Sequence, residues 1–236
     1  PCHKVLKIHI CNLNEQHEPK YHENARIILV DKPHGWTSFQ AVKKVKYGIK
    51  AKKIGHAGTL DPLATGLLIL CTGKMTKQIE GIQAQSKEYT GTFVLGATTP
   101  SVDLETEIDQ NYPIEHITLE KIEECRQSFI GEISQVPPLF SAVKIKGQRA
   151  YDIARKGGQA EIKSRVIHIY DFKITRIELP EVDFLVSCSK GTYIRSLARD
   201  FGEKLNSGAY LTNLRRTAIG DYRVEDALHP KDVSFD

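Results

Sequence analysis

The segment Gly55-His56-Ala57-Gly58-Thr59-Leu60-Asp61-Pro62-Leu63-Ala64-Thr65-Gly66 limits this chain more than any other stretch. Three glycines and a proline within twelve residues argue against one continuous helix or strand and point to an irregular backbone. The apolar run Leu67-Leu68-Ile69-Leu70-Cys71 follows directly and reads as a buried strand. The loop therefore sits against a core. Its ionisable carboxylate, Asp61, lies between Leu60 and Leu63. Burying an unpaired charge is costly, so Asp61 needs a partner. An Asp-Pro turn that caps its own backbone amides is the plain alternative. The glycine density and the imidazole of His56 argue against it.

A countercharge is available in Ser189-Lys190-Gly191-Thr192-Tyr193-Ile194-Arg195, where Arg195 falls in the opening turns of a helix that follows a strand. Such an arginine can keep a carboxylate ionised and oriented. Gly73-Lys74-Met75-Thr76 looks like the end of a phosphate-binding loop. Leu68 stands where its first glycine belongs, and Met75 where Ser or Thr follows the lysine. These departures argue against nucleoside triphosphate binding.

The periodicity predicts a strand at 27–30 and a helix capped by Thr37 or Ser38 with Phe39, Val42 and Val45 as its apolar face. A short helix is expected near 75–83. An alternating strand is expected at 87–95, with Tyr89, Gly91, Phe93 and Leu95 on one face. A helix from Thr118 to Gln127 follows, then strands at 166–177 and 182–188 and a helix opening at Gly191-Thr192 and running to Phe201. Elements of both kinds mix without a βαβ rhythm, which predicts an α+β fold with a mixed or antiparallel sheet. Residues 1–25, with four of the nine histidines and two of the five cysteines, read as an N-terminal extension before one domain over 26–236. The acidic run Asp103–Asp109 and the Glu120, Glu123, Glu124 set read as solvated faces.

A net charge of +4 permits a polyanionic partner without requiring one. The distribution says more. Lys43, Lys44, Lys46, Lys50, Lys52 and Lys53 lead into the Asp61 loop; Lys144, Lys146, Arg149, Arg155 and Lys156 interleave with Tyr151; Arg215-Arg216 form a third group. Each alone is a common solvated face, but together they favour an anionic polymer. Five cysteines without CxxC spacing and no leader-like start predict reduced thiols and a cytoplasmic setting. No metal site is expected, because the Cys and His residues lack ligand spacing.

Lys32-Pro33 with Gly35, the Gly55–Gly66 block, Lys87-Glu88-Tyr89, Gln135-Val136-Pro137-Pro138 with Ser141-Ala142, Ser189–Arg195 and Leu214-Arg215-Arg216 resemble, in that order, the TruB family of tRNA pseudouridine synthases. The likeness runs from Arg26 to Leu228, about 200 residues. It implies the pseudouridine-synthase fold and an isomerase that needs no cofactor, acting on the T-loop uridine numbered 55 of the tRNA T-arm. It implies no membrane and no obligate protein partner. By resemblance Asp61 is the nucleophile, Tyr89 stacks on the base, and Arg195 pairs with Asp61. His56 holds the T-loop, Tyr193 and Leu214 line the uracil pocket, and Lys32 is a structural or pocket lysine. Asp103 corresponds to an aspartate near the site. Lys52, Lys53, Lys144, Arg149, Arg155, Lys156, Arg215 and Arg216 are expected along the RNA backbone.

Thr98–Asp103 departs from the usual Thr-Asp-Thr pattern, and Tyr210 stands where histidine is common. The sequence stops shortly after Leu228, so the PUA-type RNA-binding domain of many relatives is expected to be absent. A guide-RNA-dependent relative would carry further RNA-binding sequence. The competing reading is a non-catalytic RNA binder or tRNA-folding chaperone on the same fold.

Overall fold

The computed structural model describes residues 25–141, 144–145, 147–150, 153, 158 and 161–234. These divide into two compact units: the described residues up to Gln85 together with Arg215 onward, and Ser86–Leu214. The expected arm at 1–25 lies, apart from Ala25, outside the described residues.

The first unit opens with β1 (Ile27–Lys32), α1 (Ser38–Gly48), β2 (Ile54–His56), β3 (Thr65–Thr72) and, after a 3-10 turn at Gly73–Gln78, α2 (Ile79–Ala84). Strand β3 is its spine. It pairs antiparallel with β1 from Ile27↔Cys71 to Lys32↔Gly66, and with β2 from Ile54↔Thr72 to His56↔Leu70. An all-apolar strand can be buried on both faces, and β3 is. Leu68 and Leu70 meet Ile28, Val30, Ala41 and Val45 on the α1 side. Leu67, Ile69 and Cys71 meet Ala57, Ile82, Ile219 and Val224 on the other. Burial pushes the Cys71 thiol up to about 11, so it is an inert core residue.

Helix α1 starts where expected, with a reciprocal cap. The Thr37 hydroxyl accepts from the Gln40 amide at 3.1 Å, and the Gln40 side chain accepts from the Thr37 amide at 2.7 Å. Its inner face differs from expectation. Ser38, Ala41 and Val45 are buried, whereas Phe39 is 72% exposed. Small residues let the helix lie close to the strands, and with Ser38, Ala41 and Val45 facing inward Phe39 turns to the outer side.

The second unit contains β4 (Lys87–Leu95), β5 (Ala97–Thr98), β6 (Gln110–Asn111), α3 (Leu119–Gln127), β7 (Gly131–Gln135), the short pair β8 (Lys144–Ile145) and β9 (Gln148–Arg149), β10 (Arg165–Glu178), β11 (Glu181–Cys188) and α4 (Ile194–Lys204). Strand β12 (Ala209–Ile219) begins here and passes into the first unit, where β13 (Tyr222–Arg223) turns back on it. Within the second unit, β11 pairs antiparallel with β4 and with β10, and β10 pairs antiparallel with β7. Strand β4 alternates buried and half-buried along its length, as the sequence pattern requires. Its Phe93 stacks on Phe184 at 4.2 Å between ring centroids; Phe172 meets Phe93 and Phe201 edge-on, and Phe201 lies tilted against Phe93. Gly91 permits close approach: a Cβ there would lie 2.5 Å from the Asn213 carbonyl oxygen. Thr118 caps α3 as expected.

The α+β class holds with a mixed sheet: among the described residues most ladders are antiparallel, Arg215 and Arg216 in β12 pair parallel with Thr65 and Gly66 in β3, and Val30 makes an isolated parallel bridge to Leu228. Strands β2, β7 and β12, and the two-residue strands β5, β6, β8, β9 and β13, lie beyond the sequence expectation. Asp103, expected on a solvated face, is buried. No helix among the described residues is long and apolar enough to cross a membrane.

Candidate active site

The Asp61 loop has no ladder of its own, so its backbone is held by side chains. The hydroxyl of Ser38, the first residue of α1, donates to the Leu60 carbonyl at 3.0 Å and accepts from the Leu60 amide at 2.9 Å. Both backbone groups of the residue before Asp61 are thus satisfied by one buried oxygen. After Asp61, the Pro62 carbonyl accepts from the Gly35 amide at 2.9 Å and from the Lys32 ammonium at 3.3 Å. The Ala64 amide donates to the Asp61 carbonyl at 3.1 Å, which turns the chain toward β3.

Lys32 ends β1 and is 0% exposed. Its three donors are all used, on Trp36 O at 2.6 Å, Pro33 O at 3.1 Å and Pro62 O at 3.3 Å. Burial pushes its ammonium down to about 8, opposed first by the Asp61 carboxylate; the Arg216 charge lowers it further and Asp31 raises it. Lys32 is therefore a cation in the electrostatic field of Asp61 that also holds the loop in place.

Arg216 is a correction. Expected on the RNA backbone, it is 2% exposed and lies inside the first unit. Its Nε donates to Leu67 O at 2.8 Å and its Nη2 to Gly58 O at 3.1 Å, so one guanidinium joins the backbone before Asp61 to the strand after it. A phosphate cannot reach a guanidinium placed this way. Gly66 makes the arrangement possible. Its φ of +101° suits glycine, and a Cβ would collide with the Arg216 backbone. Its neighbour Arg215 forks onto Asp31 at 2.7 and 3.0 Å and is half-buried. Lys52 and Lys53 are exposed. His56 ends β2 and is half-buried. Burial holds its imidazole below the ordinary value, with the Gly58 backbone opposing and the Arg216 charge adding to the effect, which favours a neutral ring.

The second unit fixes Arg195 by the reverse device, in which backbone groups hold a side chain. Arg195 is buried in the first turn of α4. Its Nη1 donates to Ser101 O at 3.0 Å and its Nη2 to Phe140 O at 2.7 Å, and its Nε lies 3.7 Å from the Asp103 carboxylate. Asp103 is fixed in turn. Its carbonyl accepts from Thr99 and Ser101 hydroxyls at 2.7 and 3.2 Å, and its carboxylate accepts from the Glu105 amide at 3.0 Å. Val102, at φ 59°, bends the chain to present it. Tyr193 caps α4 and is bracketed by the Gln135 amide, which accepts from Tyr193 N at 2.8 Å and donates to Tyr193 O at 3.1 Å. The Arg165 guanidinium covers the Tyr193 ring at 4.5 Å. Tyr89 is buried on β4 opposite Val186, and Leu214 is half-buried on β12.

The first unit thus gathers Lys32, His56, Asp61 and Arg216, and the second gathers Arg195 with Asp103. Lys144 and Arg149 are register partners in the β8–β9 pair. Arg155 and Lys156 lie outside the described residues. Sequence reasoning gives no role to Ser38 beyond a cap, nor any to Gln135 or Arg165. Ser38 beside Thr37 and Gln135 before two prolines are visible signals, while Arg165 carries none. Among the described residues no group of three or more His, Cys, Asp or Glu is placed to hold a metal.

Residues 45–194 match the TruB family pseudouridylate synthase N-terminal domain, well over half of the chain. The chain belongs to this family. It is 60% identical over 217 residues to a tRNA pseudouridine synthase B of Flavobacterium johnsoniae, covering 89% of this chain and 95% of the relative. It is 43% identical to the one of Clostridium tetani, covering 88% and 72% respectively. Among solved structures, a Cbf5-Nop10-Gar1 complex matches with a TM-score of 0.66 and 31% identity. That match covers 84% of this chain, which spans about half (49%) of the matched one. The family has the pseudouridine-synthase fold, and every block on which the sequence resemblance rests between Lys87 and Ser141, together with the Asp61 loop, falls inside the matched range.

Proposed function

We propose that this chain isomerises uridine to pseudouridine in tRNA, at the T-loop position numbered 55, with Asp61 as the nucleophile. The observation that carries the reading is the Asp61 loop itself. A carboxylate on a short irregular loop, held at Gly58, Leu60 and Pro62 by three buried side chains, is positioned in advance of its substrate. Membership of the family and the curated relatives named tRNA pseudouridine synthase B supply the substrate class.

In the proposed sequence the target uridine is flipped out of the T-loop at a cost of a few kcal/mol. Tyr89 stacks on the extruded base and recovers about 1–3 kcal/mol. Asp61 attacks the nucleoside and the C1′–N1 bond breaks. The uracil turns and C5 bonds to C1′, while the bond to Asp61 breaks and its electron pair returns to the carboxylate; the C5 proton then leaves to a base and N1 takes up a proton, so the nucleoside keeps its composition. Electrons balance within the nucleoside, so no redox partner or cofactor is called for. Arg195 serves as the countercharge that keeps Asp61 ionised, with Asp103 setting the arginine's orientation. Tyr193 and Leu214 line the uracil pocket, and a neutral His56 contacts the T-loop. Lys52, Lys53, Lys144, Arg149, Arg155 and Lys156 contact the RNA backbone. The reaction belongs in the cytoplasm, where tRNA matures.

The test is position-resolved detection of pseudouridine in an unmodified tRNA transcript incubated with the purified chain. The expected result is one pseudouridine, at the T-loop uridine, without added metal or cofactor. Product at another position, or tRNA binding with no product, contradicts the proposal.

A further inference from the structure

The net positive charge of this chain traces to one stretch. Residues 32–60 contain seven lysines and no Asp, Glu or Arg. The remaining 207 residues carry 26 basic and 29 acidic side chains, so outside this stretch the chain is net −3 although the whole is +4. Lys32 is buried; Lys43, Lys44, Lys46, Lys50, Lys52 and Lys53 are all exposed.

Helix α1 arranges this charge. Its inner face is packed on β1 and β3 through Ala41 and Val45. Phe39, Lys43 and Tyr47 recur every fourth residue on the outer face, with Lys46 beside them. Phe39 is 72% and Tyr47 69% exposed, the two most exposed large apolar side chains among the described residues. Two rings presented on a capped, rigid helix among lysines match the two demands of a polynucleotide. The lysines meet phosphates, and the rings meet the faces of unpaired bases. A membrane surface fits poorly, since an interfacial helix inserts a continuous apolar face; that of α1, Ala41 and Val45, lies in the core, and its outer face offers only two rings separated by lysines. The face also adjoins the active-site loop through the chain, because Ser38 at its start holds Leu60.

We propose that the outer face of α1, extended by Lys50, Lys52 and Lys53, is an RNA-docking surface that grips substrate RNA away from the reacting uridine. This rests on the RNA-directed reading above. Docking on α1 brings RNA to the helix whose first residue fixes the Asp61 loop, so substrate grip and loop position share one element.

The experiment compares the full chain with Lys43→Gln/Lys44→Gln/Lys46→Gln and with Phe39→Ala/Tyr47→Ala, titrating a tRNA transcript at several salt concentrations. Each lysine–phosphate contact contributes roughly 0.7–0.9 to the slope of log affinity against log salt. The lysine variant is expected to lower that slope by about 2 to 3 and to weaken binding at 0.1 M salt roughly ten- to hundredfold. The loss falls on KM more than on kcat. The aromatic variant is expected to weaken binding several-fold with the slope unchanged. All substituted residues are exposed, so melting temperatures should match the parent; Lys173→Gln, whose lysine is paired with Asp171 on β10, is the charge control. An unchanged slope and affinity in the lysine variant overturns the proposal. So does a variant that loses binding to phosphatidylserine vesicles or to an acidic protein while holding tRNA like the parent. If the parent binds tRNA with the lysine-dependent slope but forms no pseudouridine, the docking surface stands and the enzymatic reading falls. If turnover is normal and the α1 variants bind tRNA like the parent, the docking surface falls and the enzymatic reading stands.

Discussion

The Asp61 loop and the Arg195 turn solve one problem in opposite ways. In the first unit an irregular backbone is immobilised by the side chains of Ser38, Lys32 and Arg216. In the second a regular helix carries a side chain that is immobilised by the carbonyls of Ser101 and Phe140. The difference teaches where each half is vulnerable. The loop fails when a distant side chain is lost, while the arginine fails when its own donor geometry is lost. Substitutions that separate these two vulnerabilities test the comparison.

The largest effect is expected at Gly66. Alanine there must adopt a φ of +101° and press a methyl group into the Arg216 backbone. Gly66→Ala should cost about 3–5 kcal/mol in urea unfolding, or prevent folding. Lys32→Met comes next, because it leaves the carbonyls of Trp36, Pro33 and Pro62 without their shared donor. A loss of about 2–4 kcal/mol is expected, with turnover falling more than tRNA binding. Lys32 also sets a pH dependence. Its folded pKa of about 8 lies below its ordinary 10.5, so between these values the unfolded chain holds a proton that the folded chain has shed. This group's contribution is therefore complete above 10.5 and is lost as pH falls through 8. Parent stability should rise relative to Lys32→Met as pH climbs from 8 toward 10.5; parallel curves across that window would remove the assignment.

Arg195→Lys tests the other half. A lysine cannot fork onto two carbonyls and face a carboxylate, so about 1–3 kcal/mol of stability should be lost, with turnover nearly abolished. The smallest effect is expected at Ser38. Ser38→Ala leaves both Leu60 backbone groups unsatisfied, costing about 1–2 kcal/mol by thermal or urea melts, and should lower kcat without raising KM. Equal losses in kcat and affinity would show that Ser38 supports the fold generally and not the loop.

Elements with a strong period are legible in the sequence alone. Strand β4 alternates over nine residues, and Thr118 caps α3 in the expected place. Strand β12 is hidden because Ala209–Ile219 carries two arginines and an asparagine that break its alternation. The two arginines are tied down by tertiary contacts. For the inner face of α1, hydrophobicity points to Phe39, while close packing selects Ser38 and Ala41. Asp61, Lys32 and Arg195 stand out as charged residues beside glycines or a strand end, and the resemblance supplies their roles. Which charges point inward is not legible in the sequence. Arg215 and Arg216 are adjacent and look alike, yet one lies half-buried on Asp31 and the other is enclosed behind Gly66. Strand alternation sends neighbours to opposite faces, and without the strand that rule has nothing to act on.

The central claim is that Asp61 acts chemically and is not merely a loop residue. The most direct measurement is paired: pseudouridine formation and tRNA affinity for the parent and for Asp61→Asn, which keeps the size and removes the charge. The account predicts tRNA binding within a fewfold of the parent and no detectable product. Product formation by Asp61→Asn at a rate comparable to the parent would contradict it.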